Sequence, residues 1–175
     1  MPLFLQEGAS LTAGDNGPDN VKILNLDSVQ LPDLEEMNEA HHAGGTIGEV
    51  EWGSLGMKAL APTFKLKGWD PQVMSLMAQR TRSPWTVRGS IRDKQTQTLV
   101  GVKAVIYARL GKIGTEAFER GKLFGHDHEL KEVVHYELYF DNKEKYYWDH
   151  FGFDFRIDGV DILADERRIL GLPGA

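Results

Sequence analysis

Alternation of apolar and polar residues dominates the second half of the chain. It runs through residues 85–93 and again through residues 98–110, with the polar residues 94–97 between them. Two alternating runs joined by a short polar turn predict a β-hairpin. Residues 132–140 alternate in the same way, and residues 145–149 follow after another turn. This part of the chain therefore predicts an antiparallel sheet.

Helical patterns are confined to two short stretches. Asp70-Pro71 provides an N-cap and a first helical residue, and the pattern after it predicts a helix over about 71–80. Residues 161–172 are a second amphipathic stretch, with acidic residues early, basic residues late and Gly171 at the stop. The apolar stripe of this predicted C-terminal helix consists of Ile162, Leu163, Ile169 and Leu170.

Residues 35–57 are predicted to form a long protruding hairpin. Their first half is acidic, and Gly44-Gly45 marks the turn. These residues are too polar to build a core of their own, and an isolated two-stranded ribbon is only marginally stable in water. We therefore expect the hairpin to dock on another surface. The apolar residues of its second arm are Ile47, Val50 and Trp52.

Composition supports one mainly β domain. The chain has 175 residues, 41% of them hydrophobic, which suits a single domain with one core. Its 19 glycines disfavour a mostly helical protein, because glycine destabilises helices and favours turns. We predict a single domain over residues 1–175, a β-barrel or sandwich with one or two short flanking α-helices. Residues 1–20, rich in turn-forming residues from Gly8 onward, are predicted to be a flexible N-terminal arm.

The charge balance and the absence of cysteine exclude several function classes. The 20 Lys and Arg residues against 26 Asp and Glu residues give a formal charge of −6, whereas nucleic-acid binders are usually basic because they neutralise phosphates. A chain without cysteine has no disulfides, thiolate zinc sites or cysteine nucleophiles. The sequence shows neither an apolar run of 18 residues nor a secretory signal. We therefore expect synthesis in a cytoplasm and no membrane partner.

Histidines are the best candidates for chemistry. His126 and His128 are two residues apart, which puts both imidazoles on one face of a strand, and His135 follows. Because glycine flanks this polar stretch, a solvated turn is the favoured interpretation and a metal site the alternative. Adjacent His41 and His42 would point to opposite faces of a strand and are interpreted as a polar hairpin tip. No serine-nucleophile elbow or phosphate-binding loop occurs, so we predict no catalytic residue, metal or cofactor.

Short motifs along the chain carry a family resemblance. Residues 157–161 read I-x-G-x-D, a short predicted helix follows, and residues 170–172 read L-G-L. Upstream, residues 31–34 read L-P-x-L and residues 55–57 read L-G-M. In the order and spacing of these motifs, the chain resembles the major tail tube proteins of contractile-tailed bacteriophages, a family that also includes the R-type pyocin tube. The resemblance spans most of the chain from about Val21.

The resemblance implies a structural subunit that forms hexameric rings, stacked into a hollow tube inside a contractile sheath. It implies as partners the tail sheath protein, the baseplate or tube initiator, the tail terminator and the tape measure protein. DNA would pass through the tube without specific binding. The subunit would be synthesised and assembled in the host cytoplasm and would become part of the virion tail. The residues expected at contacts between subunits or rings are His41, Gly44, Gly45, Ile47, Val50, Trp52, Ile162, Ile169 and Leu170.

Two alternatives remain open at this point. The inner tube of a type VI secretion apparatus shares the architecture, although the C-terminal motif favours the phage branch. A small metal-dependent β-barrel enzyme using His126, His128 and His135 belongs to a different functional class. In the favoured interpretation, six copies with a formal charge of −6 carry −36 per ring. We therefore expect a net-negative channel wall that repels passing DNA.

Overall fold

Strands make up most of the computed structural model, which describes residues 3–14, 20–42, 44–45, 47–53 and 56–172. Its two helices are short, α1 being Pro71–Met74 and α2 being Ala164–Leu170. In chain order the strands are β1 Phe4–Ala13, β2 Val21–Lys22, β3 Leu26–Gln30, β4 Glu39–His41, β5 Val50–Trp52, β6 Thr63–Lys67, β7 Ser83–Asp93, β8 Leu99–Thr115, β9 Gly125–Phe140, β10 Lys143–Asp149, β11 Asp154–Ile157 and β12 Val160–Asp161.

The main sheet follows the order β12-β11-β10-β9-β8-β7-β1-β2, with every neighbouring pair antiparallel. Strand β9 is its branch point, because β6 pairs with residues 125–129 and β10 with residues 135–140 along the same edge of β9. Strand β3 pairs with the other side of β6. The result is a sandwich-like sheet. No pairing joins β3 to β1 or β2 within the described ranges, so the sheet does not close into a barrel. Of the two predicted folds, barrel and sandwich, the structure has the sandwich-like one.

The hydrophobic core is centred on Trp85 of β7. This side chain is fully buried, and its ring centroid lies 5.5 Å from that of Phe64 on β6. Its indole Nε1 donates a hydrogen bond to the carbonyl of Ala108, at 3.3 Å, so its one polar atom is satisfied inside the core. The other buried apolar residues are Leu11, Ala13, Leu60, Leu66, Val73, Val87, Ala104, Ile106, Ala108, Leu110, Leu130, Tyr136 and Leu138.

Both helices begin or end as the sequence predicts but are shorter. Asp70 caps α1 and accepts a hydrogen bond from the Val73 amide at 3.1 Å. The helix ends at Met74, well before residue 80, and the chain then turns through Ala78 at a φ of 57°. Helix α2 begins only at Ala164 and ends at Gly171 in the left-handed conformation. No helix in the described ranges is long and apolar enough to cross a membrane.

The prediction of a flexible arm over residues 1–20 is wrong for residues 4–13. These residues form β1, which pairs with β7 over its whole length and buries Leu11 and Ala13 in the core. The small residues that favoured a turn have a packing role instead. Gly8 lies opposite Ser90, whose Oγ would be only 3.3 Å from a β-carbon at that position. Residues 1–2 and 15–19 of the predicted arm lie outside the described residues.

Candidate assembly surfaces

The predicted hairpin forms and projects from the sheet. We call residues 35–58 the β4–β5 ribbon. At its base, the amide of Lys58 donates to the carbonyl of Glu35 at 2.8 Å, and the Lys58 ammonium lies 2.5 Å from the Glu35 carboxylate. Farther out, Glu39 pairs with Trp52, and His41 with Val50. Every residue of β4 and β5 is exposed, so the ribbon has no core of its own.

One face of the ribbon carries the apolar residues of β5. Trp52 and Val50, two residues apart on β5, share one face, and their cross-strand partners Glu39 and His41 lie beside them. Trp52 is 60% exposed, which is costly for a large aromatic ring. The turn contains Gly44 and Gly45, and Ile47 next to it is fully exposed. Ala43 and Thr46 lie outside the described residues.

The C-terminal candidates lie on a second exposed apolar surface. Ile162, Ile169 and Leu170 are each more than half exposed. Helix α2 is fixed by the buried Arg167, which bonds the carbonyl of Phe153 at 2.9 Å and the Asp161 carboxylate. This anchoring leaves the apolar stripe free to contact another molecule. Neighbouring exposed residues that the sequence analysis did not propose as contacts are Phe151, Phe153 and Val160. For Phe151 and Phe153, the signal in the sequence is the pair of aromatic residues on either side of Gly152.

The main sheet ends in two incompletely covered edges. On the β1 side, β2 pairs only with Leu11 and Thr12, so residues 4–10 have no strand partner on that side among the described residues. Leu3, Phe4 and Leu5 at this end are about half exposed or more. At the other edge, β12 has only two residues, Val160 and Asp161. Open edges of this kind are templates for pairing with another chain.

A groove of about 560 Å³ opens beside residues 130–134 of β9. It exists because β6 and β10 share one edge of β9 and leave these residues between them. At one end of the groove the Leu130 amide donates a hydrogen bond to the Pro62 carbonyl, and at the other end the His150 amide donates to the Val134 carbonyl. We call it the β9 groove. Its apolar lining includes Met57, Leu60, Val133, Trp148 and Phe151, and its basic lining consists of Lys58, Arg82 and Lys131.

A family model for the phage tail tube protein FII matches residues 18–171 of the chain. The chain belongs to this family. It is therefore a structural protein of the contractile bacteriophage tail tube, and a component of the virion tail. No match to the sequence is found among curated proteins.

Two solved structures are similar to this tail tube protein in fold. The first is the sheath/tube terminator of an extracellular contractile injection system, PVC, in its extended state. It has 11% sequence identity and a TM-score of 0.50 over 73% of this chain and 91% of that chain. The second is Hcp1 from Salmonella typhimurium, with 10% identity and a TM-score of 0.48 over 89% of this chain and 100% of that chain.

The candidate histidines of the tail tube protein do not converge on one site. His126 and His128 lie on strand β9 and are nearly fully buried, so the favoured interpretation of a solvated turn is wrong. The imidazole of His126 packs against Trp69, with ring centroids 4.2 Å apart. His135 lies about 20 Å farther along the strand, given roughly 3.3 Å per residue. No group of three His, Cys, Asp or Glu residues in the described part of the chain is placed to hold a metal ion.

His135 belongs to a polar network on the outer face of the sheet. Its Nδ1 lies 3.0 Å from Asp149, and its Nε2 lies 2.9 Å from Glu137. Beside it, Arg156 bonds both oxygens of Glu144 and stacks 3.7 Å from the centroid of the Tyr147 ring. Because Glu144 bonds the Arg156 guanidinium, the pKa of Arg156 is raised. These ion pairs and hydrogen bonds connect side chains of β9, β10 and β11 across the sheet. They make this face of the sheet polar.

Proposed function

We propose that this protein is the repeating subunit of the inner tube of a contractile phage tail, assembled as stacked hexameric rings around a channel for DNA. The observation that carries the proposal is one sheet with an open edge at each end, together with a projecting ribbon whose strands β4 and β5 are wholly exposed. A monomer leaves these surfaces exposed to water. An assembly of identical copies buries all of them at once.

Ring closure is proposed to occur between the two sheet edges. The outer side of residues 4–10 in one copy would pair with the β12 edge of the next copy, which continues the sheet from subunit to subunit. The contact is heterologous, since different surfaces of the two copies meet, and a heterologous contact closes into a ring when the rotation fits. Exposed Leu3 and Phe4 at one edge and Val160 and Ile162 at the other would be buried together.

Ring stacking is proposed to use the β4–β5 ribbon. The described part of its first arm runs from Glu35 to His42, and an extended segment of this length, at roughly 3.3 Å per residue, would span about 25 Å, enough to reach an adjacent copy. Its exposed Val50 and Trp52 supply apolar area for the contact, at about 25 cal/mol for each Å² buried. The exposed stripe of α2, with Ile169 and Leu170, would add a further contact between subunits.

The channel is proposed to be lined by the polar outer face of the sheet. In the network over β9–β11, the four carboxylates of Glu137, Glu144, Asp149 and Asp154 outnumber the two guanidinium groups that contact them, those of Arg156 and Arg167. Six copies would repeat this excess of negative charge around the wall. Like charge between wall and DNA keeps the phosphate backbone from adhering, so DNA slides through.

The remaining partners follow from the position of a tube within a tail. The outer surface would face the tail sheath protein, one end would grow from the baseplate or tube initiator, and the other would meet the tail terminator. The tape measure protein and then DNA would occupy the channel without specific binding. Synthesis and assembly would take place in the host cytoplasm.

Electron microscopy of the concentrated, purified protein tests the proposal. We expect negatively stained rings or tubes with a central channel and six-fold symmetry in end views. The proposal is overturned if the protein stays monomeric at every concentration and also fails to add to pre-assembled baseplate–tube complexes. Stoichiometric, tightly held metal in the same preparation would instead favour the enzymatic alternative.

A further inference from the structure

The two ends of strand β9 hold histidines in opposite surroundings. His126 and His128, near its start, are buried, and both nitrogens of His126 and the Nδ1 of His128 have no hydrogen-bond partner in the described part of the chain. His135, toward the other end, has a carboxylate within 3.0 Å of each ring nitrogen. A neutral imidazole donates one hydrogen bond, and an imidazolium donates two. The surroundings of His135 therefore suit a proton, and those of His126 and His128 do not.

We propose that mild acid opens the sandwich at one place, where strands β3 and β6 separate together from β9 while β10 stays paired with it. Strand β6 covers the buried histidines, because it pairs with residues 125–129 of β9 and places Phe64 against His128. An imidazolium at either position gains water as a hydrogen-bond partner only when this cover is removed. The opening takes place within one copy and does not depend on the proposed tube function.

The sheet topology allows β3 and β6 to leave as a unit. Among the residues that the structure describes, β3 pairs only with β6, and β6 pairs only with β3 and β9. The path β12-β11-β10-β9-β8-β7-β1-β2 stays intact without them. Their departure removes Phe64 and Leu66 from the core, so the open form is a minor one at neutral pH. Protonation of the uncovered histidines raises its population.

Charges near the buried histidines do not compensate an imidazolium in the closed form. Lys65 of β6 contacts both Glu116 and Asp127, so a cation already offsets the negative charge of these carboxylates. The other charged side chains around this end of β9 are Lys67 of β6, Lys112 of β8 and Glu129 of β9. Burial, the largest cause, lowers the pKa of His128, although backbone hydrogen bonds and Asp127 act against it. His128 therefore stays neutral until β6 leaves.

At the other end of β9, a proton strengthens the connection to β10. Asp149 of β10 and Glu137 of β9 each lie against a different nitrogen of His135, so an imidazolium donates to both. Burial would raise the pKa of Asp149, but its hydrogen bonds from the Gly152 amide and from His135 outweigh burial and lower that pKa. The other titratable or charged groups around His135 are Tyr107 of β8, Tyr147 of β10 and Arg156 of β11. Asp149 therefore stays ionised in mild acid and keeps β10 attached.

The opening would also move the β4–β5 ribbon. The chain between β3 and β6 contains the whole ribbon, so both ends of the ribbon are connected to the strands that leave. The hydrogen bond from the Leu130 amide to the Pro62 carbonyl, just before β6, would break in the same step. Acid would thus change the position of the ribbon while the path from β12 to β2 persists.

Native-state amide hydrogen exchange of the purified chain tests the opening. Exchange is followed at about pH 7.5 and about pH 5.5 in low concentrations of urea, with correction for the intrinsic effect of pH. We expect residues 26–30 and 63–67 to share one level of protection, lower than that of residues 85–91 of β7 and 145–148 of β10. Their exchange should also depend less steeply on urea, because a local opening exposes less surface than unfolding of the whole chain.

Acidification should lower the protection of residues 63–67. Because the ordinary pKa of histidine is 6.5, each histidine that binds a proton only in the open form raises the open population by up to about tenfold over this pH range. His128→Phe keeps an aromatic ring against Phe64 and should make the fall in protection smaller. His150→Phe, the same substitution at an exposed histidine, should leave the fall unchanged.

Equal protection and equal urea dependence in β6, β7 and β10 would overturn the proposal, because the chain would then open only as a whole. A fall as large in His128→Phe as in the parent would also overturn it, as would a protection of β6 that does not change with pH. A second variant locks β6 to β9 by a disulfide between Thr63→Cys and Glu129→Cys, which are cross-strand partners in a chain without cysteine. Oxidation should raise the protection of residues 63–67 to that of β7, and no gain over the reduced form would contradict the local opening.

Discussion

The imidazole of His128 lies flat against the ring of Phe64, with ring centroids 4.6 Å apart and an angle of 2° between the planes. The pair joins strands β9 and β6 in the interior, where His128 is only 3% exposed. Burial disfavours the charged imidazolium and lowers the pKa of His128 below its ordinary value of 6.5. The folded protein therefore holds this histidine in its neutral form.

This burial makes stability depend on pH. Because the pKa of His128 is lower in the folded chain than in the unfolded one, the unfolded chain binds more protons below about pH 6.5. Above that pH, His128 should make no pH-dependent contribution to the free energy of unfolding. Below it, the free energy of unfolding should fall as the pH falls. His128→Phe preserves an aromatic stack and removes the titration. Urea unfolding of both proteins between about pH 7.5 and pH 5 should show a smaller loss for the variant, and equal losses would contradict the prediction.

Asp70 is predicted to be a stabilising anion at the start of α1. It accepts from Val73, from Asn25 at 3.0 Å and from Lys22 at 2.9 Å, and both members of the ion pair are nearly buried. Burial alone would raise the pKa of Asp70, but these hydrogen bonds outweigh it and the pKa is lowered. Asp70→Asn keeps a capping oxygen and removes the charge beside Lys22. We expect a loss of about 3 kcal/mol in the free energy of unfolding, as for other broken buried pairs.

The matched control for Asp70 is Glu35→Gln in the exposed pair with Lys58. Exposed ion pairs contribute about 0–1 kcal/mol, so chemical denaturation should barely distinguish this variant from the parent. If Glu35→Gln lost as much free energy of unfolding as Asp70→Asn, burial would not determine how much an ion pair contributes to stability.

Trp52→Ala should separate assembly from folding. The side chain is 60% exposed and lies on the ribbon, so its removal should change the free energy of unfolding by no more than about 0.5 kcal/mol. Tubes should nevertheless be abolished, as they should be on deletion of residues 40–50, because the contact between rings is lost. Negative-stain microscopy and thermal unfolding measure the two effects. Leu123→Ala, at an even more exposed apolar residue outside the ribbon, should leave tubes intact.

Leu5→Lys should block lateral growth of the sheet. Leu5 is half exposed on the open edge of β1, and a lysine on an edge strand opposes pairing with another chain. We expect a folded monomer with an unchanged melting temperature and no rings in sedimentation velocity experiments. Rings formed as readily as by the parent would show that this edge is not the contact within a ring.

The sequence predicted those elements whose local pattern agrees with their packing. The hairpin of β7 and β8 and residues 132–140 of β9 were predicted because one face of each is buried and the other polar. The start of α1 was predicted because Asp70 and Pro71 act within a single turn. The exposed ribbon was predicted from its lack of apolar residues.

Features created by distant parts of the chain were not predictable. Strand β1 was missed because its glycine and small residues suit close packing against β7, which a local pattern does not reveal. The burial of His126 and His128 was missed because it depends on β6 covering that part of β9. The groove was missed for the same reason, since it exists only where β6 and β10 leave a gap beside β9.

The sharing of β9 between two partner strands also has a mechanical consequence. Its sixteen residues run unbroken through both parts of the sandwich. A load that pulls β6 and β10 apart along β9 is therefore carried by the covalent backbone of β9. The hydrogen bonds that join β9 to these two strands are loaded in shear, so they must break together rather than one by one. A subunit built around one continuous strand therefore resists being pulled apart into the two parts of its sandwich.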